Sequence, residues 1–233
     1  MEIKISPSMM CADLTRLGEQ VHELSEAGAD LLHWDIIDGH FAHNFGLNPD
    51  IIAACRPLTR IPFDVHLMAN DPAAYIDEVA AAGADMITLQ LEPTVHIHRA
   101  IAHIHRLGKM AGVALNPMTP LSFLETILPE LDMITLMTVD AGFAGQTFVS
   151  GVLPKLHTLR QKVGELGLNV DIQVDGQIKA ATIQQVVRAG ANVLVVGTSG
   201  LFAVPDTLQH TIQAIRATAR EEDTDDEYTE IRH

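Results

Sequence analysis

Two short phrases in this 233-residue chain put ionisable side chains inside apolar runs. His33 and Asp35 stand two apart in "LLHWDIIDGHF" (31–41), and Asp64 and His66 lie in "DVHLM" (64–68). On a strand, residues two apart point to the same face. Isolated charges are costly to bury and are usually paired or metal-bound when they are. A further acid, Asp175, ends "NVDIQVD" (169–175). Two histidines and two carboxylates converging at one point, His33, Asp35, His66 and Asp175, could hold one divalent metal ion. The mixed nitrogen and oxygen donors suit zinc, manganese, iron or cobalt and do not choose among them. Taken one at a time, each could equally be a hydrogen-bonded polar group of the core.

Glycines form a second constellation: "AGFAGQ" at 141–146, "DGQ" at 175–177 and "GTSG" at 197–200. Glycine lets backbone N–H groups approach an anion closely, so three such turns side by side would suit a phosphate. Methionines form a third. Met9, Met10, Met68 and Met137 lie at or near the ends of apolar runs, where they are either core filler or an apolar lip that excludes water.

These groups need elements to position them, and the chain supplies a regular alternation. Strand-like runs fall at 3–6, 30–36, 62–68, 85–90, 109–115, 131–138, 169–175 and 192–197. Helix-like stretches fall at 13–27, 72–82, 95–107, 152–166, 179–189 and 205–219, with shorter ones near 49–56 and 120–128. The phrase "AGAD" (27–30, 82–85) and its variant "AGAN" (189–192) repeat between helix and strand, where the glycine suits a helix C-terminus. Eight strands, each followed by a helix, predict an α/β fold with a parallel sheet, a compact (β/α)8 TIM barrel. A doubly wound open sheet is the main rival, but the first turn reads "SPSMMCADL" in place of GxGxxG. In a barrel the active site lies at the C-terminal ends of the strands. The polar residues there are Ser6, Ser8, His33, Asp35, Asp38, Asp64, His66, Gln90, Glu92, Asn116, Thr138, Asp140, Asp175, Thr198 and Ser199. Loops after strands 7 and 8 are the usual phosphate site of such enzymes.

The totals narrow the function class. With 47% apolar and 19% charged residues the chain is globular and predicted to be soluble. A net charge of −15 argues against a nucleic-acid or anionic-membrane partner. Part of that charge sits in "EEDTDDE" (221–227), which reads as a solvated tail. One barrel domain over 1–219 and a flexible acidic tail over 220–233 are expected. Two cysteines, Cys11 and Cys55, without CxxC fit a reducing cytosol, and no signal peptide or membrane-spanning run is visible, so the expected location is cytoplasmic.

Seven motifs in order, "ISPSMMCADL", "HWDIIDGHF", "DVHLM", "LNPMTPL", "MTVDAGFAGQTF", "VDGQI" and "VGTSGLF", resemble the ribulose-phosphate 3-epimerase family, up to about residue 215. "MTVDAGFAGQ" and "GTSGLF" look closer to the D-allulose-6-phosphate 3-epimerase branch than to the pentose enzyme, which tends to read "NPGFGGQ" and "GSAIF". The resemblance implies a ribulose-phosphate-binding TIM barrel. It implies one divalent metal on His33, Asp35, His66 and Asp175, with Asp35 the base that removes the C3 proton and Asp175 the acid that returns one on the other face. Ser8 and His66 would contact the phosphorylated ketose. Gly142, Phe143, Ala144, Gly145, Gly176, Gly197, Thr198 and Ser199 would hold its phosphate, and Met68 and Met137 would shield the enediolate. A homo-oligomer, dimer or hexamer, is implied as well. The chain departs from the family pattern at Ile37, where the lip usually has methionine, at His43 and Ala141, where proline is common, and at Gln90, where the strand usually reads H-x-E.

Two rival readings remain. A Schiff-base aldolase on the same barrel needs a lysine at a strand end, and Lys4, Lys109, Lys155, Lys162 and Lys179 all fall elsewhere. A non-catalytic sugar-phosphate-binding barrel would not require two opposed proton carriers. Whether the substrate is D-ribulose 5-phosphate/D-xylulose 5-phosphate or D-allulose 6-phosphate/D-fructose 6-phosphate rests with loop residues such as His43, Asn44 and those at 198–201.

Overall fold

The computed structural model describes residues 2–220, so the acidic segment 221–233 lies outside the described residues. Eight strands form one parallel sheet: β1 (Lys4–Pro7), β2 (Leu32–Ile37), β3 (Phe63–Met68), β4 (Met86–Gln90), β5 (Met110–Leu115), β6 (Met133–Met137), β7 (Asp171–Asp175) and β8 (Val193–Val196). Their order is β1-β8-β7-β6-β5-β4-β3-β2. The two ends of that order meet. The Asp30 and Leu31 amides donate to the Ile5 carbonyl at 3.0 and 3.3 Å, and Ser8 bridges His33 in parallel register. The sheet is therefore a nearly closed (β/α)8 barrel and not an open doubly wound sheet.

Seven α-helices surround the sheet among the described residues: α1 (Leu17–Glu26), α2 (Pro49–Cys55), α3 (Ile76–Ala82), α4 (Ile97–Arg106), α5 (Val152–Glu165), α6 (Ala180–Ala189) and α7 (Leu208–Arg220). The expectation of a helix after every strand needs one correction. Between β5 and β6 the chain makes only two 3-10 turns, Leu121–Leu124 and Leu128–Glu130. Pro129 lacks an N–H and its ring would strike the carbonyl four residues back, so an α-helix cannot run through it. No helix among the described residues is long and apolar enough to cross a membrane.

The repeated "AGAD/AGAN" phrase has one structural job, done three times. Gly28, Gly83 and Gly190 are left-handed (φ 84°, 109° and 115°). The next residue, Ala29, Ala84 or Ala191, then donates to the carbonyl five residues back at 3.0–3.1 Å, closing the helix. The polar residue that follows caps the first amides of a neighbouring strand. Asp30 Oδ2 accepts from Ile5 N, Asp85 Oδ2 from Phe63 N, and Asn192 Oδ1 from Ile172 N, at 2.7, 2.8 and 2.7 Å. Helix end and strand start are thereby fixed by four residues.

The strands alternate strictly between two environments. Leu32, Trp34 and Ile36 of β2 face the helices in the large apolar core, where the Trp34 and Phe63 rings lie 4.8 Å apart. The intervening residues face the barrel axis in levels. Leu31, Met86, Met133 and Val193 plug the bottom. Above them lie His33, Asp64, Thr88, Thr135 and Gln173, all fully buried. Asp35, His66, Gln90 and Asp175 come next. Ile37, Met68 and Met137 close the sequence at the mouth, packed with Ala42 and Ala141. The polar residues of "LLHWDIIDGHF" thus belong to the inner face of a strand whose outer face is ordinary core.

Candidate active site

The four residues singled out as metal ligands come together. One donor atom from each of His33, Asp35, His66 and Asp175 lies within 4.8 Å of every other. Asp35 Oδ1 is 3.2 Å from His33 Nε2 and 3.5 Å from His66 Nδ1, and Asp175 Oδ2 is 3.8 Å from His33 Nε2. Each remaining polar atom of three of these side chains is engaged from behind. His33 Nδ1 meets Asp64 Oδ2 at 2.7 Å, His66 Nε2 meets Gln90 Oε1 at 2.8 Å, and Ser8 Oγ donates to Asp35 Oδ2 at 3.0 Å. His66 Nδ1, by contrast, is buried with no hydrogen-bond partner. Buried polar atoms are rarely left so. An unpartnered ring nitrogen facing two carboxylates and a second histidine fits a divalent cation, and the residues present are therefore suited to hold one.

The two carboxylates differ sharply in acidity. Burial raises the pKa of Asp35, but the adjacent His33 and His66 outweigh it and hold the carboxyl far below the usual range. Burial pushes Asp175 up to about 6, and the negative charge of Asp35 adds to the rise. Burial depresses His33, yet Asp35 and Asp64 on either side of the ring reverse this and leave its pKa well above 6.5. One acid kept ionised beside one that holds its proton to higher pH is the arrangement of a base and an acid acting in sequence.

Above the cluster lies a cavity of about 190 Å³. Asp35, Asp175 and Ser8 form part of its wall, whereas His33 and His66 are fully buried beneath it. The predicted phosphate-loop residues Gly142, Phe143, Ala144 and Gly145 line it on one side, and Gly176, Gly197, Thr198 and Ser199 on another. Gly176 has φ 115°, and a Cβ there would sit 2.6 Å from Val139 Cγ2. A single π-helical turn spans Thr198–Phe202, so its first amides have no acceptor within the turn. Gln177 is the one non-glycine residue with positive φ (52°) among the described residues, and its Oε1 accepts from Ser199 Oγ at 3.1 Å.

Met68 and Met137 line the cavity and pack with Ile37 in the lip, so Ile37 fills the methionine position without opening it. Asp38 lies past the strand as a clamp: its carboxylate accepts from the amides of His40, Phe41 and Asn70, each at 2.8 Å, which ties the loops after β2 and β3 together. Asn44 Nδ2 donates to the Gly142 carbonyl at 2.8 Å, joining the loop after β2 to the loop after β6. No lysine lines the cavity. Lys155, half-buried on α5, instead donates to the Asn116 and Pro117 carbonyls at 2.9 and 3.4 Å.

The sequence reading missed the layer behind the ligands. Gln90 and Asp64 are both polar residues at strand ends in the sequence, Gln90 also a departure from the family pattern, and neither has a role there. The signal for Asp64 was present, because it stands two residues before His66 and must share its face. Thr88 and Gln173 stand two residues before Gln90 and Asp175 and share their faces by the same rule; their pairing with Asp64 lies across strands and carries no local signal.

Residues 4–202 match the model of the family described as "Ribulose-phosphate 3 epimerase family". The chain is 45% identical over 222 residues to a ribulose-phosphate 3-epimerase of Synechocystis, covering 94% of this chain and 96% of that one. It is 38% identical over 203 residues to the ribulose-phosphate 3-epimerase of Escherichia coli, covering 87% and 90%. Among solved structures it is similar to KGPDC from Streptococcus mutans, with a TM-score of 0.72 and 14% identity, over 93% of this chain and 97% of that one. At that identity the likeness concerns the fold alone.

Proposed function

This chain belongs to the ribulose-phosphate 3-epimerase family, a family of carbohydrate epimerases of the isomerase class, and from that premise we propose that it inverts C3 of D-ribulose 5-phosphate to give D-xylulose 5-phosphate. The observation that carries the reading is the pair Asp35 and Asp175, whose acidities are driven in opposite directions at the floor of a cavity rimmed by glycine loops.

The C3 proton lies beside the C2 carbonyl, so its removal leaves an enediolate. Asp35, ionised, accepts that proton as its C–H bond breaks. Asp175, protonated, donates one to the opposite face of the same carbon, and the pair ends with its protonation exchanged. Ser8, bonded to Asp35 Oδ2, steadies the base. His33, Asp35, His66 and Asp175 would hold a divalent ion, which would supply Lewis-acid stabilisation of the developing negative charge. Met68, Met137 and Ile37 keep water from the planar intermediate. The turns at 142–145, 176 and 197–199 grip the phosphate and contribute binding energy remote from the reacting carbon.

D-Allulose 6-phosphate is the second reading, favoured by the motifs "MTVDAGFAGQ" and "GTSGLF". The pentose phosphate comes first because relatives named for it align with nearly all of this chain. Measuring kcat/KM on both ketose phosphates separates the two: a preference for the hexose overturns the first reading, and no turnover of either overturns both. A Schiff-base aldolase is disfavoured by the lack of a lysine at the cavity.

A further inference from the structure

One level below the candidate ligands lies a polar layer that the chemistry above does not use. Asp64 on β3 is fully buried. Its Oδ2 is 2.7 Å from His33 Nδ1 and accepts from Gln173 Nε2 at 2.8 Å, while its Oδ1 accepts from Thr88 Oγ1 at 3.1 Å. Thr135 Oγ1 donates to Gln173 Oε1 at 2.7 Å, which fixes the amide with its NH2 toward Asp64. A carboxylate surrounded by hydroxyl and amide donors has only acceptor capacity to offer, so the hydrogen between it and the ring resides on His33 Nδ1. The far nitrogen, Nε2, is the one that points at Asp35 and Asp175.

Room for this network is built into a neighbouring strand. Gly112 on β5 is paired with Thr88, and a Cβ at position 112 would lie 2.4 Å from Thr88 Oγ1. Only glycine leaves the threonine hydroxyl free to reach Asp64.

We propose that Asp64 is a positioning residue for the candidate metal centre: it holds His33 with Nδ1–H turned inward so that Nε2 is the donor presented at the cavity floor, and Thr88 and Gln173 hold Asp64 in turn. This rests on the reading of His33, Asp35, His66 and Asp175 as a metal centre. A carboxylate behind a ligating histidine fixes its tautomer and orientation, and loss of such a partner typically weakens metal binding about 10- to 100-fold.

The test measures Zn²⁺ affinity by competition with a chelating indicator for the wild type, Asp64→Asn, Thr88→Val and Thr88→Ser. Nitrogen-15 NMR of the Zn²⁺-loaded proteins accompanies it. The expected result is a loss of about 10- to 100-fold for Asp64→Asn, a smaller loss for Thr88→Val, and near-wild-type affinity for Thr88→Ser. The slowly exchanging His33 Nδ1–H signal should be present in the wild type and altered in Asp64→Asn. If Asp64→Asn does not fold, the contrast between valine and serine at position 88 decides, and equal affinities of both with the wild type overturn the proposal. Unchanged affinity and an unchanged His33 signal in a folded Asp64→Asn likewise overturn it, leaving Asp64 a stabiliser of the barrel and the metal centre intact. Failure of the wild type to bind Zn²⁺ is a different result, which removes the metal centre and the proposal together.

Discussion

Replacing Asp175 by asparagine should make the metal-free protein more stable at neutral pH. The Asp175 carboxyl is mostly buried, with Asp35 as its charged neighbour, and its pKa rises from 3.8 to about 6. A group whose folded-state pKa is raised favours folding fully below the unfolded value and loses that contribution as pH climbs through the folded one. The window here is pH 4 to 6. At about 1.4 kcal/mol per pH unit, the rise corresponds to about 3 kcal/mol lost by pH 7. Asp35 is shifted downward, so its contribution is lost only as pH falls below this window. His33 is shifted upward, so its contribution fades above pH 6.5. Across pH 4 to 6 the difference between the wild type and Asp175→Asn therefore isolates Asp175, since Asp13, Asp38 and Asp206 are shifted downward in both. The expected outcome, read by urea unfolding in EDTA, is a wild type that weakens across that interval and an Asp175→Asn variant that does not. At pH 7 the variant should lead by about 2–3 kcal/mol, or roughly 5–10 °C in Tm for a chain of this size. Saturating Zn²⁺ should reverse the order, because the ion stabilises the protein that binds it more tightly. A wild type that is flat between pH 4 and 6, or a variant less stable than the wild type without metal, refutes the reasoning.

Gly176→Ala should raise KM for the phosphorylated substrate or unfold the loop, since φ 115° and a Cβ 2.6 Å from Val139 Cγ2 leave no room for a side chain; a variant with unchanged KM and Tm would show that the turn is not constrained. Met68→Ala empties part of a lip whose members are 2–4% exposed and should lower kcat more than it raises KM, with a stability loss of about 2–5 kcal/mol by urea unfolding.

The sequence made the barrel legible because its two signals are local. Period-two alternation put His33 and Asp35 on one strand face, and "AGAD" or "AGAN" marked three of the junctions where helix hands over to strand. The four candidate ligands were legible for the same reason, as histidines and acids embedded in apolar runs. The connection between β5 and β6 was not, because 120–128 has helix-like apolar spacing, yet the chain there makes only two 3-10 turns, the second carrying Pro129. In the layer beneath the ligands the facing of Asp64 and Gln173 was legible from their spacing, but their pairing was not. Gln173 and Asp64 are 109 residues apart and meet only across the barrel interior. Thr88, Thr135 and Gly112 are unremarkable in sequence and acquire a role only once the strands are in register.

The most direct test of the two-carboxylate scheme is the fate of the C3 hydrogen in heavy water, with metal content checked in each sample. Wild type acting on D-ribulose 5-phosphate should form D-xylulose 5-phosphate carrying deuterium at C3. Asp175→Asn, with Asp35 intact, should place deuterium at C3 of recovered D-ribulose 5-phosphate while forming little or no epimer. Epimerisation by Asp175→Asn at the wild-type rate would contradict the assignment of Asp175 as the second proton carrier.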